Sequence, residues 1–412
     1  MTDMEQERAR KFQEMYKRIQ PSPLYKKKLA DNPTGEVALD QIQSLPLTTK
    51  KDLREAGIFG HLAVGRKEIA QYHESTGTTG VPAASWFTKE DMQVGGRQLK
   101  ECGGVHLTAE DLVLIRFPYA LALPAFLMQH AAWQTGGAGG VVPASGRTVV
   151  TPYPRVLSLL KDLSVTVMAG LPREMELLAE VARLIGANPS KDFPALRAIC
   201  VAGELMGDNR RRHIEKLWNV PVFNMYGSTE TANIATMCEY GNMHIVEEDF
   251  FVEVLNEDGT DSVANGERGF ATITTLSHQA SPLLRYFNED IISVEPITCK
   301  CGRTGAKLVH YGRSKERIYY QNTVLDSKDI QEAVYSLSPA PDAWKVLEQE
   351  AGLHVLLDSH HSENWAKEEI CSFLSSQLKV PVTVEVTEMM DRSALIDNTP
   401  STKPVYIQKR ND

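Results

Sequence analysis

The chain is poor in the features that mark several large classes of protein. Lysine and arginine total 44 against 53 aspartates and glutamates, a net charge of −9. It therefore lacks the basic surplus with which a general nucleic-acid binder neutralises phosphates. Cysteines number six in 412 residues, too few for a disulfide scaffold. Long apolar runs are missing: the most apolar stretch, Tyr119 to Met128, is interrupted by Pro124 and closed by Gln129 and His130, well short of the ~20 residues that span a bilayer. The N-terminal "MTDMEQERARKFQEMYKRIQ" mixes charges at every turn and has no apolar centre of the kind a signal peptide needs. These absences lead to the expectation of a soluble, cytoplasmic protein with neither nucleic acid nor membrane as partner.

What is present supports a large core. At 42% hydrophobic residues over 412 positions, the chain exceeds what one core usually serves, and two or more domains are expected. From Ala109 to about Val309, β-branched runs alternate with helical segments: "DLVLIRF", "VTVMAGLP" then "REMELLAEVARLIG", "LRAICVAGE" then "DNRRRHIEKLW", and "PVFNMYGSTE". This order predicts an α/β sheet covered by helices. From Phe250, strand-like runs separated by Asp-Gly and Asn-Gly predict an antiparallel hairpin subdomain. After "YGRSKERIYYQNTVL" an αββαβ pattern predicts a small α+β domain. The boundary falls near Arg313 to Glu316, giving domains 1–312 and 313–412.

The loop "ESTGTTGVP" carries Ser75, Thr76, Gly77, Thr78, Thr79 and Gly80. Such a stretch suits neither helix nor central strand, and it is either a surface turn or a loop whose N–H and hydroxyl groups cradle a polyphosphate. "YGSTE" follows a strand-like run, so that Tyr226 could stack on a base and Glu230 hold a hard cation at the phosphates; alone it would be a strand-end turn. "AGE", ending in Glu204, closes another strand, where ligand-binding loops of α/β sheets lie. "RYFNED" offers Asp290 to ribose hydroxyls, or is an acidic turn. "YGRSKE" places Arg313 and Lys315 at the domain boundary. The "KKK" at Lys26 to Lys28 reads as a solvated helix face, with a phosphate contact as the functional alternative.

Cys299 and Cys301 form a C-x-C before Gly302, while Cys238 and His244 lie in "MCEYGNMHI". Three sulfurs and one imidazole suit a closed tetrahedral zinc site; the competing reading is a set of unrelated thiols. Cys102, Cys200 and Cys371 have no ligand-like neighbours and read as core residues.

In this order, "ESTGTTGVP", "AGE", "YGSTE", "RYFNED" and "YGRSKE" resemble the motifs of the adenylate-forming superfamily. With "SPLYKKKLA", "IQSLPLTTKKDLREAG" and "CKCGRTG", the chain is most similar to the phenylacetate-CoA ligase and coenzyme F390 synthetase group. The resemblance implies a large N-terminal adenylating-enzyme domain, a small mobile C-terminal domain, and activation of a carboxylic acid by ATP and Mg2+ followed by transfer to coenzyme A. It also implies that Ser75 to Gly80 close over the β- and γ-phosphates, Glu230 ligates Mg2+ and Thr229 contacts the α-phosphate. Tyr226 and Glu204 would flank adenine, Asp290 and Arg313 would hold the ribose, and Lys315 would be the hinge. Tyr119, Phe126 and Gly170 lie in segments that line the acyl pocket of similar enzymes, and their apolar character favours a small aromatic acid.

Two departures from the family pattern stand out. Ala83 and Ala84 follow Pro82 where many family loops have a lysine. The tail "NTPSTKPVYIQKR" matches the family's catalytic-lysine segment imperfectly, with Lys403 the nearest match and Lys409 the fallback. A carrier protein or an amine is the alternative acceptor, a non-catalytic nucleotide-binding descendant is the alternative of another class, and homodimer formation is left open.

Overall fold

The computed structural model describes residues 3–30, 37–75, 82–136, 140–145, 151–359, 365–389 and 405–410. The chain forms two compact units, each assembled from two stretches: Met1–Pro143 with Phe223–Val309, and Ala144–Val222 with His310–Asp412.

In the first unit, the opening helix Asp3–Ile19 buries Phe12, Met15, Tyr16 and Ile19, the three-to-four spacing of one helical face. They pack with Leu24, Tyr25, Ile42, Leu53, Leu284 and Tyr286. Tyr25 shows how such a core accepts a polar tip: its buried hydroxyl takes a hydrogen bond from the Leu284 backbone N–H at 2.9 Å, and burial pushes its pKa up to about 12. The expected antiparallel subdomain is present. Phe250–Leu255 pairs with Gly269–Thr275, which pairs with Tyr286–Pro296. The two-residue strand Thr48–Thr49 joins Tyr286 and Phe287 in parallel. Val222–Ser228, Ala232–Met237 and Met243–Ile245 form a second antiparallel run, and Leu112–Ile115 lies parallel to Gly140–Pro143.

In the second unit, Val167–Gly170 and Ala198–Ala202 are parallel, buried throughout, as strands covered on both faces must be. Helices Tyr153–Asp162, Pro172–Leu184 and Asp208–Trp218 accompany them. The αββαβ pattern becomes a sheet ordered Val382–Val386, Gly352–Asp358, Ala343–Gln349 and Ile407–Gln408. The last strand was not anticipated. Helix Ser327–Tyr335 starts at the capping box of Asp326 and Asp329, so each satisfies a backbone donor of the other.

A charged cluster is buried within this unit. The fully buried Arg210 donates to both oxygens of Glu176 at 2.9 and 3.1 Å, to Glu204 at 3.0 Å and to the Tyr406 hydroxyl at 2.8 Å. Burial pushes the Glu176 carboxyl up, but the Arg210 guanidinium overrides it and brings the value down to about 2. Removing one member would leave the others charged and dry, the costly case for buried pairs.

Candidate functional site

The strand Val222–Ser228 delivers the first group of site residues. At its end the register slips between Tyr226 and Gly227. A Cβ on Gly227 would lie 1.9 Å from the Ala232 carbonyl oxygen, so only glycine fits. The turn that follows is fastened by reciprocal bonds: Ser228 N–H to Thr231 Oγ1 at 3.1 Å and Thr231 N–H to Ser228 Oγ at 3.2 Å. It leaves Thr229 half-buried and Glu230 4% exposed. Tyr226 donates its hydroxyl to Asp290 Oδ2 at 2.9 Å, and Asn288 donates to the same oxygen at 3.1 Å. Two residues singled out separately, 64 positions apart, are thus joined.

Around Glu230 the structure adds residues that the motifs did not mark. Lys50 brings its ammonium 3.2 Å from Glu230 Oε1, an oxygen that is buried and lacks a hydrogen-bond donor in bonding geometry. Burial raises the Glu230 carboxyl, but the Lys50 charge lowers it further, and the net shift is downward. The Ser75 hydroxyl adds to that stabilisation without reaching hydrogen-bonding geometry. His61 is buried nearby, and burial lowers its pKa from 6.5 to about 4, against the opposing pull of the Ala84 backbone and the Glu230 charge. One buried carboxylate with an open lone pair matches the habit of Mg2+, which takes one or two carboxylates and completes its shell with phosphate and water. Thr76 to Gly80 lie outside the described residues, as does Lys403.

The apolar candidates also come together. Tyr119 and Phe126 meet edge to face at 5.3 Å, and Phe126 meets His73 at 5.2 Å. Burial pushes Tyr119 up to about 12, and its buried hydroxyl has no hydrogen-bond partner among the described residues. In the second unit, Gly170 ends its strand and Glu204 is held by Arg210. Arg313 and Lys315 are exposed, beside a Gly312 with φ +112 where a Cβ would lie 2.7 Å from Ser327. Lys409 donates to the Arg317 carbonyl and lies 3.6 Å from Glu348.

Cys238, His244, Cys299 and Cys301 converge, with all four donor atoms within 4.8 Å of one another. Cys238 Sγ lies 3.8 Å from Cys299 Sγ, and Cys301 Sγ 3.5 Å from His244 Nε2. A tetrahedron with metal–sulfur bonds of ~2.3 Å and metal–nitrogen bonds of ~2.0–2.1 Å has edges of about 3.8 and 3.6 Å. Two of the six edges already have those lengths. Each half is a tight turn: Cys238 N–H donates to Asn242 O, and Cys299 N–H to Arg303 O. The Cys301 backbone N–H, aimed at the Cys299 sulfur, brings that thiol down to about 7, while burial pushes Cys238 up to about 11. The strand pair His244 and Lys307 links the two turns, and Gly104 packs so closely that a Cβ would lie 2.5 Å from the Cys238 carbonyl carbon.

A family model described as AMP-binding enzyme matches residues 34–269. The chain belongs to the AMP-binding enzyme family. This AMP-binding enzyme is 30% identical over 310 residues to a phenylacetate-coenzyme A ligase of Thermus thermophilus, covering 71% of the chain and 65% of that relative. It is 25% identical over 381 residues to one of Pseudomonas putida, covering 88% and 84%. These relatives bear out the resemblance to the phenylacetate-CoA ligase group. In fold it matches a 2-hydroxyisobutyryl-CoA ligase structure, with a TM-score of 0.87 at 19% identity over 98% of this chain and 89% of that one. The fold class expected from sequence, a large sheet domain with a smaller α+β domain, is that of this structure.

The buried imidazole gives the enzyme a measurable acid sensitivity. With a folded pKa near 4 and an ordinary value of 6.5, His61 takes up its proton in the unfolded chain first. Its contribution is present above pH ~6.5 and is lost as pH falls toward ~4, amounting to about 2 kcal/mol at most between pH 7 and 5. Chemical denaturation at both pH values should show a shallower decline for His61→Asn. Equal declines in both proteins would assign the acid loss to other groups.

Proposed function

We propose that this AMP-binding enzyme activates a carboxylic acid with ATP and transfers the acyl group to coenzyme A. In the first step a carboxylate oxygen attacks the α-phosphorus, the bond to the β-phosphate breaks, and its electron pair leaves with pyrophosphate. In the second, the coenzyme A sulfur attacks the acyl carbon, the bond to AMP breaks, and the thiol proton goes to solvent. The observation that carries this reading is the convergence of Tyr226, Asp290 and the buried carboxylate of Glu230 at one strand end.

Tyr226 and Glu204 would flank adenine, Asp290 and Arg313 the ribose, and Thr229 the α-phosphate, with Ser75 to Gly80 closing on the outer phosphates. Glu230 would hold Mg2+, which supplies positive charge to the phosphates when bound. Tyr119, Phe126 and Gly170 would line the acid pocket; their apolar surface suits a small aromatic acid. Lys403 would neutralise charge between carboxylate and α-phosphate, with Lys409 as the alternative. Domains 1–312 and 313–412 would turn about Lys315 between the two steps. Cys238, His244, Cys299 and Cys301 would hold a structural zinc. None of the six cysteines, all among the described residues, is in a disulfide, which supports a reducing, cytoplasmic setting. Homodimer formation is left open.

The test is a screen of carboxylic acids for pyrophosphate release, followed by coenzyme A, carrier protein or amine as acceptor. A small aromatic acid should give release, and coenzyme A should then yield the thioester. Lys403→Ala should block the first step and spare thioester formation from supplied adenylate. Nucleotide binding without acid-dependent release would favour a non-catalytic descendant.

A further inference from the structure

We propose that Lys50 is a phosphate-binding residue of the adenylation step, paired with Glu230 until a cation takes that carboxylate. The inference rests on the function proposed above and concerns a residue to which the motifs assign no role.

Three observations carry it. First, the stretch from Ile69 to Thr88, which includes the whole hydroxyl-rich loop, contains no lysine or arginine. A site built to stabilise departing pyrophosphate needs positive charge that this stretch does not provide. Second, Lys50 reaches the buried Glu230 from an open position: its side chain is 25% exposed and that of Glu230 is 3%. The side chain pairs with the carboxylate while a quarter of its surface stays accessible to solvent. Third, Lys50 opens the helix Lys50–Ala56, where a cation opposes the helix dipole. Helix stability gives no reason for a lysine there.

Its backbone is nonetheless fixed with care. Thr49 and Asp52 form a complete capping box immediately beside it, and Thr48 and Thr49 are held in register against Tyr286 and Phe287, on the strand that continues to Asp290. The backbone that carries Lys50 is therefore tied to the strand that bears the candidate ribose ligand, and the capping box fixes the start of its helix. While no cation is bound, ammonium and carboxylate neutralise each other. When Glu230 turns to a divalent cation, the Lys50 charge is released within a few ångströms of it, where the cation-bound polyphosphate must lie. The class of ligand is a magnesium-complexed polyphosphate chain, ATP in one direction and pyrophosphate in the other.

The experiment uses the full chain, an acid shown to be accepted, and exchange of labelled pyrophosphate into ATP. Lys50→Met should raise the KM for pyrophosphate about tenfold or more and that for ATP in the same direction. The KM for the acid and the rate of thioester formation from supplied adenylate should move less than threefold. Lys50→Arg, which keeps the charge and the pair, should retain most of the pyrophosphate affinity and guards against misfolding of the first variant. A purely structural lysine predicts a different pattern: both half-reactions reduced alike and KM values unchanged. That pattern, or an unchanged pyrophosphate KM in folded Lys50→Met, overturns the assignment. Absence of acid-dependent exchange in the unaltered enzyme would instead overturn the reading on which it rests.

Discussion

Replacing Glu230 with glutamine is expected to lower adenylate formation by about 100-fold or more while leaving the protein folded. The substitution keeps the shape of the side chain and removes the negative charge that a hard cation requires. Loss of charge stabilisation at the phosphates is worth several kcal/mol, and a 100-fold fall corresponds to about 2.7 kcal/mol. The fold should tolerate the change because of which partner is left behind. Lys50 is partly exposed and can return to water, whereas Glu230 without Lys50 would be a charge stranded in the interior, the expensive half of such a pair. Glu230→Gln should therefore melt closer to the unaltered protein than Lys50→Met does. Pyrophosphate exchange at limiting Mg2+ reads the effect, and an unchanged rate would remove Glu230 from the mechanism.

Much of this site was legible because its residues sit in short contiguous motifs at strand ends. "PVFNMYGSTE" shows a strand and then a glycine where the chain must double back, and in the structure Ser228, with Thr231 just beyond the segment, fastens that turn. The strands and helices of the α/β region follow from apolar runs and helical periodicity, which survive without tertiary information. The pairing of Tyr226 with Asp290 depends on the fold and could only be guessed.

Lys50 and Arg210 were missed for a different reason: each is one cation among several in its segment. Signals for both were nevertheless present. In "DNRRRHIEKLW" the buried stripe of Ile214 and Trp218, extended back by four residues, lands on Arg210 rather than on Arg211 or Arg212. An arginine on the apolar face of a helix must find buried carboxylates. In "LTTKKDLREAG" two lysines open a helix just behind its threonine cap, against the helix dipole. Neither signal names a partner, and in both cases the partner, Glu176 or Glu230, is distant in sequence. Burial, which decides the meaning of a charge, is the quantity that sequence patterns convey least.

The metal cluster yields the other large effect. Protein purified without added metal should carry one zinc per chain, and the double variant Cys299→Ser with Cys301→Ser should lose it. Four protein donors complete the tetrahedron and leave no position for water or substrate, so the ion would act on stability rather than on chemistry. Structural zinc contributes roughly 10 kcal/mol or more in small peptides that fold only around it. Here the contribution should be smaller, because Ile234, Ala235, Phe250 and Ile273 form a buried core alongside that holds the same strands. A loss of about 3 kcal/mol would still lower the melting temperature by ~10 °C in a unit of this size. The turns at Cys238 and Cys299 are joined mainly through the short strand pair at His244 and Lys307, so the damage should start there, with faster hydrogen exchange at residues 238–245 and 299–305. Chelation should therefore depress thermal stability before it changes the rate of adenylate formation measured well below the melting range. Elemental analysis gives the decisive number: a zinc content near zero, or full retention by the double variant, would return these four side chains to the status of ordinary thiols and a core histidine.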